Sequence, residues 1–310
     1  MAVHAGIELG GTKCICILAS GPGEVRARVQ LPTADPPATL AGIAEILANW
    51  NSGATAFASI GIASFGPLDL RSGAGHFGRI GKTPKHAWTY TDLLRFFTQR
   101  FAVPVGITTD VIGAALAEGS WGAGRGLRDF AYVTVGTGVG VGLIHDGRPL
   151  VGAHHPELGH ARAARAPGDD WAGHCSFHGA CVEGLASGPA IRARCGVDAA
   201  DVSLSDPVWR TVAHALGQLA HLLVVSAAPQ RILMGGGVLA KRPELLAQVR
   251  SCLATSLNDY LEFAEIKDGF DSYIVPPGLG ADAGPLGALA VAIDAHEQAM
   301  RQSNAGEHAR

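Results

Sequence analysis

The sequence predicts an α/β protein made of two similar halves. Three observations carry that reading: short apolar strand segments alternate with amphipathic helical ones, two glycine-rich hairpins recur far apart in the chain, and 310 residues is about twice a usual domain length. Helices placed between strands imply a mixed sheet covered by helices.

The elements follow in order. "GIELGGTKCICILAS" (Gly6 to Ser20) reads as strand, Gly/Thr-rich turn and strand, and "AYVTVGTGVGVGLIHDG" (Ala131 to Gly147) repeats the design. Apolar periodicity predicts helices from Leu40 to Trp50, Leu93 to Phe101, Val208 to Ala227 and Leu245 to Leu261. Two further pairs match across the halves. "ASIGIASFGP" and "RILMGGGVL" are strands ending in glycine, while "VPVGITTDVIGAALAEG" and "YIVPPGLGADAGPLGALAVAI" are strand, turn and helix. Residues 283 to 294 give a last apolar helix, and "RQSNAGEHAR" after it is a polar tail expected to fray.

Composition removes several function classes. A net charge of −3 without a basic run argues against nucleic-acid binding. No uninterrupted apolar stretch of about eighteen residues exists, and no charged-then-apolar leader opens the chain, so a soluble, cytoplasmic protein is expected. Six cysteines in this length are no secreted disulfide framework. Cys14 and Cys16 alternate with Ile15 and Ile17 as small buried residues would, Cys195 and Cys252 read the same way, and only Cys175 and Cys181 fall in a metal-like spacing.

Each glycine turn offers a phosphate cradle. Gly10, Gly11, Thr12 and Lys13 supply approachable N–H groups, a hydroxyl and an ammonium; Gly136, Thr137, Gly138 and Gly140 repeat the offer. Neither is a Walker A loop or a dinucleotide fingerprint. Either turn alone could be a plain hairpin, but two copies in the same relative place favour the cradle. Gly235, Gly236 and Gly237 follow a buried strand, where a base or ribose could lie on bare backbone, or where helix and strand pack closely.

Asp110 stands where a strand ends and a helix begins, the carboxyl edge that favours ligands in α/β sheets. The helix N-terminus would keep it ionised and able to accept a proton from a hydroxyl. Its plain alternative is an N-cap.

His160, Cys175, His178 and Cys181 form H-x14-C-x2-H-x2-C, a set that fits tetrahedral zinc. Four protein ligands leave no open position, so the site is structural and would order the loop around it. His154, His155 or His174 could replace one of the histidines. The segment after Cys181, "VEGLASGPAI", is acidic and apolar, unlike the reading helix of a nucleic-acid finger. Glu157 and Glu183 bracket the ligands near His160, and carboxylates with an imidazole suit sugar hydroxyls.

With these segments assembled, the chain resembles the ROK family of sugar kinases, and within it the zinc-containing bacterial fructokinase branch. The resemblance rests on "GIELGGTK", "ASFGPLDL", "GKTPKHAW", "TTDVIGAALAE", "VTVGTGVGVG", "HPELGH", "CSFHGACVEGLASGPAI", "RILMGGGV" and "GLGADAG". It implies an actin/hexokinase-like (ribonuclease H-like) duplicated two-domain fold with ATP and sugar in an interdomain cleft. The implied domains are residues 1–112, rejoined by a C-terminal helix over 283–300, and residues 113–282 with a zinc-binding loop over 154–184; residues 301–310 form a flexible tail. By position, Asp110 matches the catalytic base, and Gly10 to Lys13, Gly136 to Gly140 and Gly235 to Gly237 match the ATP-binding segments. Gly66, Pro67, Asp110, Glu157, His160 and Glu183 match the sugar contacts, and His160, Cys175, His178 and Cys181 the zinc ligands. Glu8 is expected to orient Mg²⁺ through water. The resemblance also implies a homodimer.

The implied activity is transfer of the ATP γ-phosphoryl group to fructose; glucokinase, mannokinase or N-acetylhexosamine kinase activity is the nearest alternative. A non-catalytic sugar-binding regulator is less expected, since only five residues precede Gly6 and a helix-turn-helix head would need more. Two positions depart from the pattern. Ile112 stands where relatives often carry Asn, and Ala281-Asp282 stands where an acidic residue then Asn is usual.

Overall fold

A computed structural model describes the chain except residues 1, 53–55, 72, 262–263, 267–268 and 309–310, with the side chains at 264 and 306–308 also outside the description. In chain order the first elements are β1 (His4–Leu9), β2 (Lys13–Ala19), β3 (Val25–Pro32), α1 (Pro36–Trp50), β4 (Ile60–Ser64), α2 (Leu93–Thr98), β5 (Val105–Thr109) and α3 (Asp110–Trp121). There follow β6 (Phe130–Val135), β7 (Val139–His145), β8 (Arg148–Pro149), α4 (Val182–Ala186), α5 (Gly188–Cys195) and α6 (Val208–Ala227). The chain finishes with β9 (Arg231–Gly235), α7 (Gly237–Lys241), α8 (Leu245–Leu257), β10 (Ile274–Val275) and α9 (Ala283–His308).

Two compact units result. The first holds residues 1–121, 151–155 and 282–310, the second 122–150 and 156–281. The first sheet runs β3-β2-β1-β4-β5 and the second β10-β9-β6-β7-β8. In each, the hairpin and its next strand are antiparallel, and the last two strands add in parallel. The sequence duplication is therefore a duplication of strand order and direction.

In the first unit, α9 lies against the sheet because glycine removes the side chains in its way. A Cβ on Gly61 would overlap the α9 backbone at Ala288 and Ala292, and one on Gly287 would overlap the α3 backbone at Gly113. Helix α1 starts at a true cap: the Asp35 carboxylate accepts the Ala38 N–H at 2.9 Å, with Pro36 at the first helical position. The second unit packs α6 and α4 on a core of Val133, Val141, Leu185, Leu216 and Leu223.

Several expectations shift. A domain edge at residue 112 would fall inside α3, whose Ile112, Ala114, Ala115 and Ala117 are buried in the first unit, so the boundary follows Trp121. The loop expected over 154–184 begins in the second unit at Pro156, because the His155 ring is held in the first. Helix α8 stops at Leu257 rather than Leu261, since Asn258 takes a left-handed cap conformation (φ 48°). Helix α2 stops at Thr98 rather than Phe101, with Gln99 as cap and Phe101 buried in the following turn. The tail expected to be flexible over 301–310 continues α9 to His308; residues 309 and 310 lie outside the described residues. Arg301 pairs with Glu297 at 3.6 Å, and Ser303 donates to the Ala299 carbonyl at 3.1 Å, the neighbour spacing that supports an exposed helix. Among the described residues no helix is long and apolar enough to cross a membrane.

Candidate active site and metal centre

Sheet register gathers the first group of candidates. Leu9 pairs with Ser64 and Ser64 with Thr109, so the carboxyl ends of β1, β4 and β5 are level. Gly10, the Gly66-Pro67 loop and Asp110 therefore leave one edge of one sheet together.

The turn Gly10–Thr12 is closed by the Gly10 N–H donating to the Lys13 carbonyl at 3.1 Å. A strap braces it: Thr33 donates its hydroxyl to the Gly10 carbonyl at 2.7 Å and its N–H to the Thr12 carbonyl at 3.0 Å. The N–H groups of Gly11 and Thr12 make no hydrogen bond among the described residues, the condition an anion cradle requires. Burial raises the Glu8 carboxyl above its ordinary range, against the lowering pull of Lys13 and Arg28. A Cβ on Gly284 would overlap that carboxylate, so glycine in the first turn of α9 lets an acid sit against a helix N-terminus.

Asp110 opens α3, and its Oδ1 accepts the next residue's N–H, Val111, at 2.9 Å. Thr109 also serves the helix start, its Oγ1 accepting the Ile112 N–H at 3.3 Å. Ile112 is buried in the core of the first unit, where its neighbours are apolar. Beside the Gly66-Pro67 loop, the buried His155 accepts the Leu68 N–H on Nε2 at 3.1 Å, and His154 Nδ1 lies 2.7 Å from the His155 carbonyl.

In the second unit, Gly136–Gly138 is closed by the Gly136 N–H donating to the Gly138 carbonyl at 2.8 Å. Glu183 braces this turn: its Oε2 accepts the Val139 N–H at 3.1 Å, and a Cβ on Gly138 would stand 2.6 Å from the same oxygen. Thr134 pairs with Gly235, so the glycines after β9 leave the same sheet edge as the turn after β6. Gly236, at φ 95°, lies where any Cβ would overlap Val135, and a Cβ on Gly235 would stand 2.5 Å from Pro277. Close packing explains those two glycines, while Gly237 faces open space.

"HPELGH" ends in a short 3-10 turn over Leu158–His160. A Cβ on Gly159 would overlap the Val139 carbonyl, so glycine seats this turn beside the second glycine turn. Glu157 stands exposed at its start, and His160 is half-buried.

His160, Cys175, His178 and Cys181 converge, with one ligand atom from each inside a 4.8 Å group. Cys175 Sγ lies 3.6 Å from Nδ1 of both His160 and His178, and Cys181 Sγ lies 3.6 Å from His160 Nδ1. A zinc tetrahedron with Zn–S of about 2.3 Å and Zn–N of about 2.1 Å has N···S edges of about 3.6 Å. The donor set therefore fits the ion in both chemistry and spacing. Burial pushes the Cys181 thiol up to about 11, and the adjacent Cys175 adds to the rise, so thiolate ligation there calls for a cation. His160 Nδ1 also lies 3.9 Å from Glu183 Oε1. The three spare histidines fall outside the cluster: His154 and His155 are engaged in the first unit, and His174 is exposed.

The sequence profile of the ROK family matches residues 4–295. The chain belongs to the ROK family. Among ROK relatives, the fructokinase of Zymomonas mobilis is 41% identical over 300 residues, covering 96% of this chain and 98% of that protein. The fructokinase of Pediococcus pentosaceus is 37% identical over 286 residues, covering 92% and 96%. The solved ROK family glucokinase of Streptomyces griseus, in complex with glucose and AMPPNP, superposes with a TM-score of 0.75 at 23% identity, covering 94% of this chain and 99% of that one. The ROK hexokinase of Thermus thermophilus superposes at 0.71 with 26% identity, covering 94% and 98%. The duplicated actin/hexokinase-like α/β fold is that of the family's sugar kinases.

Two residues in contact with these motifs escaped sequence reasoning. His155 read as a spare zinc ligand but supports the Gly66-Pro67 loop, and Lys85, inside the quoted "GKTPKHAW", carried no role.

Proposed function

We propose that the protein is an ATP-dependent hexose kinase with fructose as its acceptor. The observation that carries the reading is end-to-end identity of 37–41% to ROK fructokinases, in a chain whose Asp110 stands at the start of α3, level with the ends of β1 and β4.

In this reading Asp110 takes the proton of the acceptor hydroxyl as its oxygen bonds to the γ-phosphorus, the β–γ bridging bond breaks, and ADP leaves with the bond electrons. The bare N–H groups of the first turn, the second turn and Lys13 meet the phosphate charge. Gly66, Pro67, Glu157, His160 and Glu183 hold the sugar, and Gly235 to Gly237 lie along the adenosine. Mg²⁺, held through water by Glu8, would neutralise phosphate charge, and the charge that burial disfavours on Glu8 suits a nearby dication. Zinc on His160, Cys175, His178 and Cys181 would close the loop carrying Glu157 and His160, fixing the imidazole through Nδ1. A cytoplasmic homodimer completes the proposal, on family resemblance.

The test is product analysis. With ATP, Mg²⁺ and fructose, ³¹P NMR should show one new phosphomonoester for each ADP formed. ADP released with no sugar phosphate rejects the proposal.

A further inference from the structure

Lys85 belongs to neither the sugar contacts nor the phosphate turns, yet it is built onto the first glycine turn. Its Cε lies 3.5 Å from the position a Cβ of Gly11 would occupy, so the lysine stem passes over the bare backbone of that glycine. The side chain is half-buried and forms no ion pair among the described residues.

Its position is not accidental to a loose loop. The turn after it, His86–Trp88, is fixed by Trp88, which is buried and donates its indole N–H to the Ala34 carbonyl at 2.9 Å, while its backbone N–H reaches the Lys85 carbonyl at 2.8 Å. Phe65 packs edge-on against the same indole at 5.4 Å. Ala34 directly follows Thr33, which holds the Gly10 and Thr12 carbonyls. One strap therefore fixes both the glycine turn and the lysine above it, and the two are 74 positions apart in the chain.

We propose that Lys85 is a phosphate-contacting residue of the first turn, supplying a second ammonium opposite Lys13 to the terminal phosphoryl group of a nucleoside triphosphate. The reasoning rests on the turn's being a phosphate site, as in the proposed function. Three features favour phosphate over sugar: the stem is aimed at Gly11, the N–H groups beneath it are unbonded, and an ammonium is a point charge suited to phosphate oxygens. In that place Lys85 would distinguish triphosphate from diphosphate.

The experiment is calorimetric binding of AMPPNP, ADP and fructose to wild type, Lys85→Met and Lys85→Arg, followed by kcat and KM for each substrate. Lys85→Met should weaken AMPPNP about tenfold, the size of one charge-assisted contact, leave ADP and fructose within about twofold, and lower kcat. Lys85→Arg should recover most of the AMPPNP affinity. Unchanged thermal melting of Lys85→Met would confirm that folding is intact. Loss of fructose affinity with intact AMPPNP binding would overturn the proposal in favour of a sugar contact, and an equal loss of ADP and AMPPNP would overturn the triphosphate discrimination. Should wild type bind AMPPNP but phosphorylate no hexose, the kinase reading fails while the AMPPNP-to-ADP ratio still decides Lys85.

Discussion

Glu183 accepts the Val139 N–H at 3.1 Å with one carboxylate oxygen, and the other lies 3.9 Å from His160 Nδ1. One side chain thus ties the second glycine turn to the metal cluster. Glu183→Ala would leave the Val139 N–H unpaired and lower stability by about 1–2 kcal/mol. Glu183→Gln keeps an acceptor oxygen and should melt within about a degree of wild type. Equal losses of melting temperature in the two variants would remove the bracing role.

Asp110 and Thr109 should separate chemistry from folding. Asp110→Asn is expected to lower kcat by about 10²–10⁴ with little change in stability. Thr109→Val, losing the cap on the Ile112 N–H, should cost about 1 kcal/mol of stability and spare most of kcat. Paired denaturation and initial-rate measurements check both, and a reversed pattern would exchange the two assignments.

Metal analysis after dialysis should find about one zinc per chain. Cys175→Ser with Cys181→Ser should abolish it, lower the melting temperature and raise the KM for sugar, since His160 sits in both the cluster and the turn proposed to hold the sugar. A fully active, zinc-free protein is incompatible with a structural ion.

Stability should depend on pH through His4. Burial lowers its pKa below the ordinary 6.5, His296 adds to the shift, and Glu297 opposes it. Ser59 donates to the Ala292 carbonyl of α9 at 2.6 Å, which leaves its oxygen to accept the Nδ1–H of His4 at 2.8 Å, and burial disfavours the charged ring. The unfolded chain binds this proton more readily, so the contribution is present above about pH 6.5 and is lost as pH falls through the depressed value. Urea melts between pH 7.5 and 5.5 should show that decline, and His4→Gln should flatten it. An unchanged slope in the variant would assign the decline to other groups.

Much of the fold was legible because its signals are local. Glycine between apolar runs marks both hairpins, and periodicity marked α6 at Val208–Ala227, as found. The missed end of α8 turns on one residue, Asn258, taking a left-handed conformation that no periodicity reveals. The convergence of His160, Cys175, His178 and Cys181 into a group that could hold a metal ion was legible because three of them lie within seven residues. What stayed hidden depends on partners distant in sequence. His155 meets Leu68 across 87 positions, and its spacing resembled that of the nearby ligands. Lys85 is one lysine among ordinary ones until Trp88 and Ala34 fix it above Gly11. Thr109 was shadowed by its neighbour, since either residue type can cap a helix.

The most direct measurement is kcat/KM for a panel of fructose, glucose, mannose and N-acetylhexosamines, read by coupled ADP release with purified protein, ATP and Mg²⁺. The predicted result is sugar-dependent ADP release with fructose giving the highest kcat/KM. A higher value for another hexose, or ADP release independent of sugar, would contradict fructose phosphorylation as the activity of this chain.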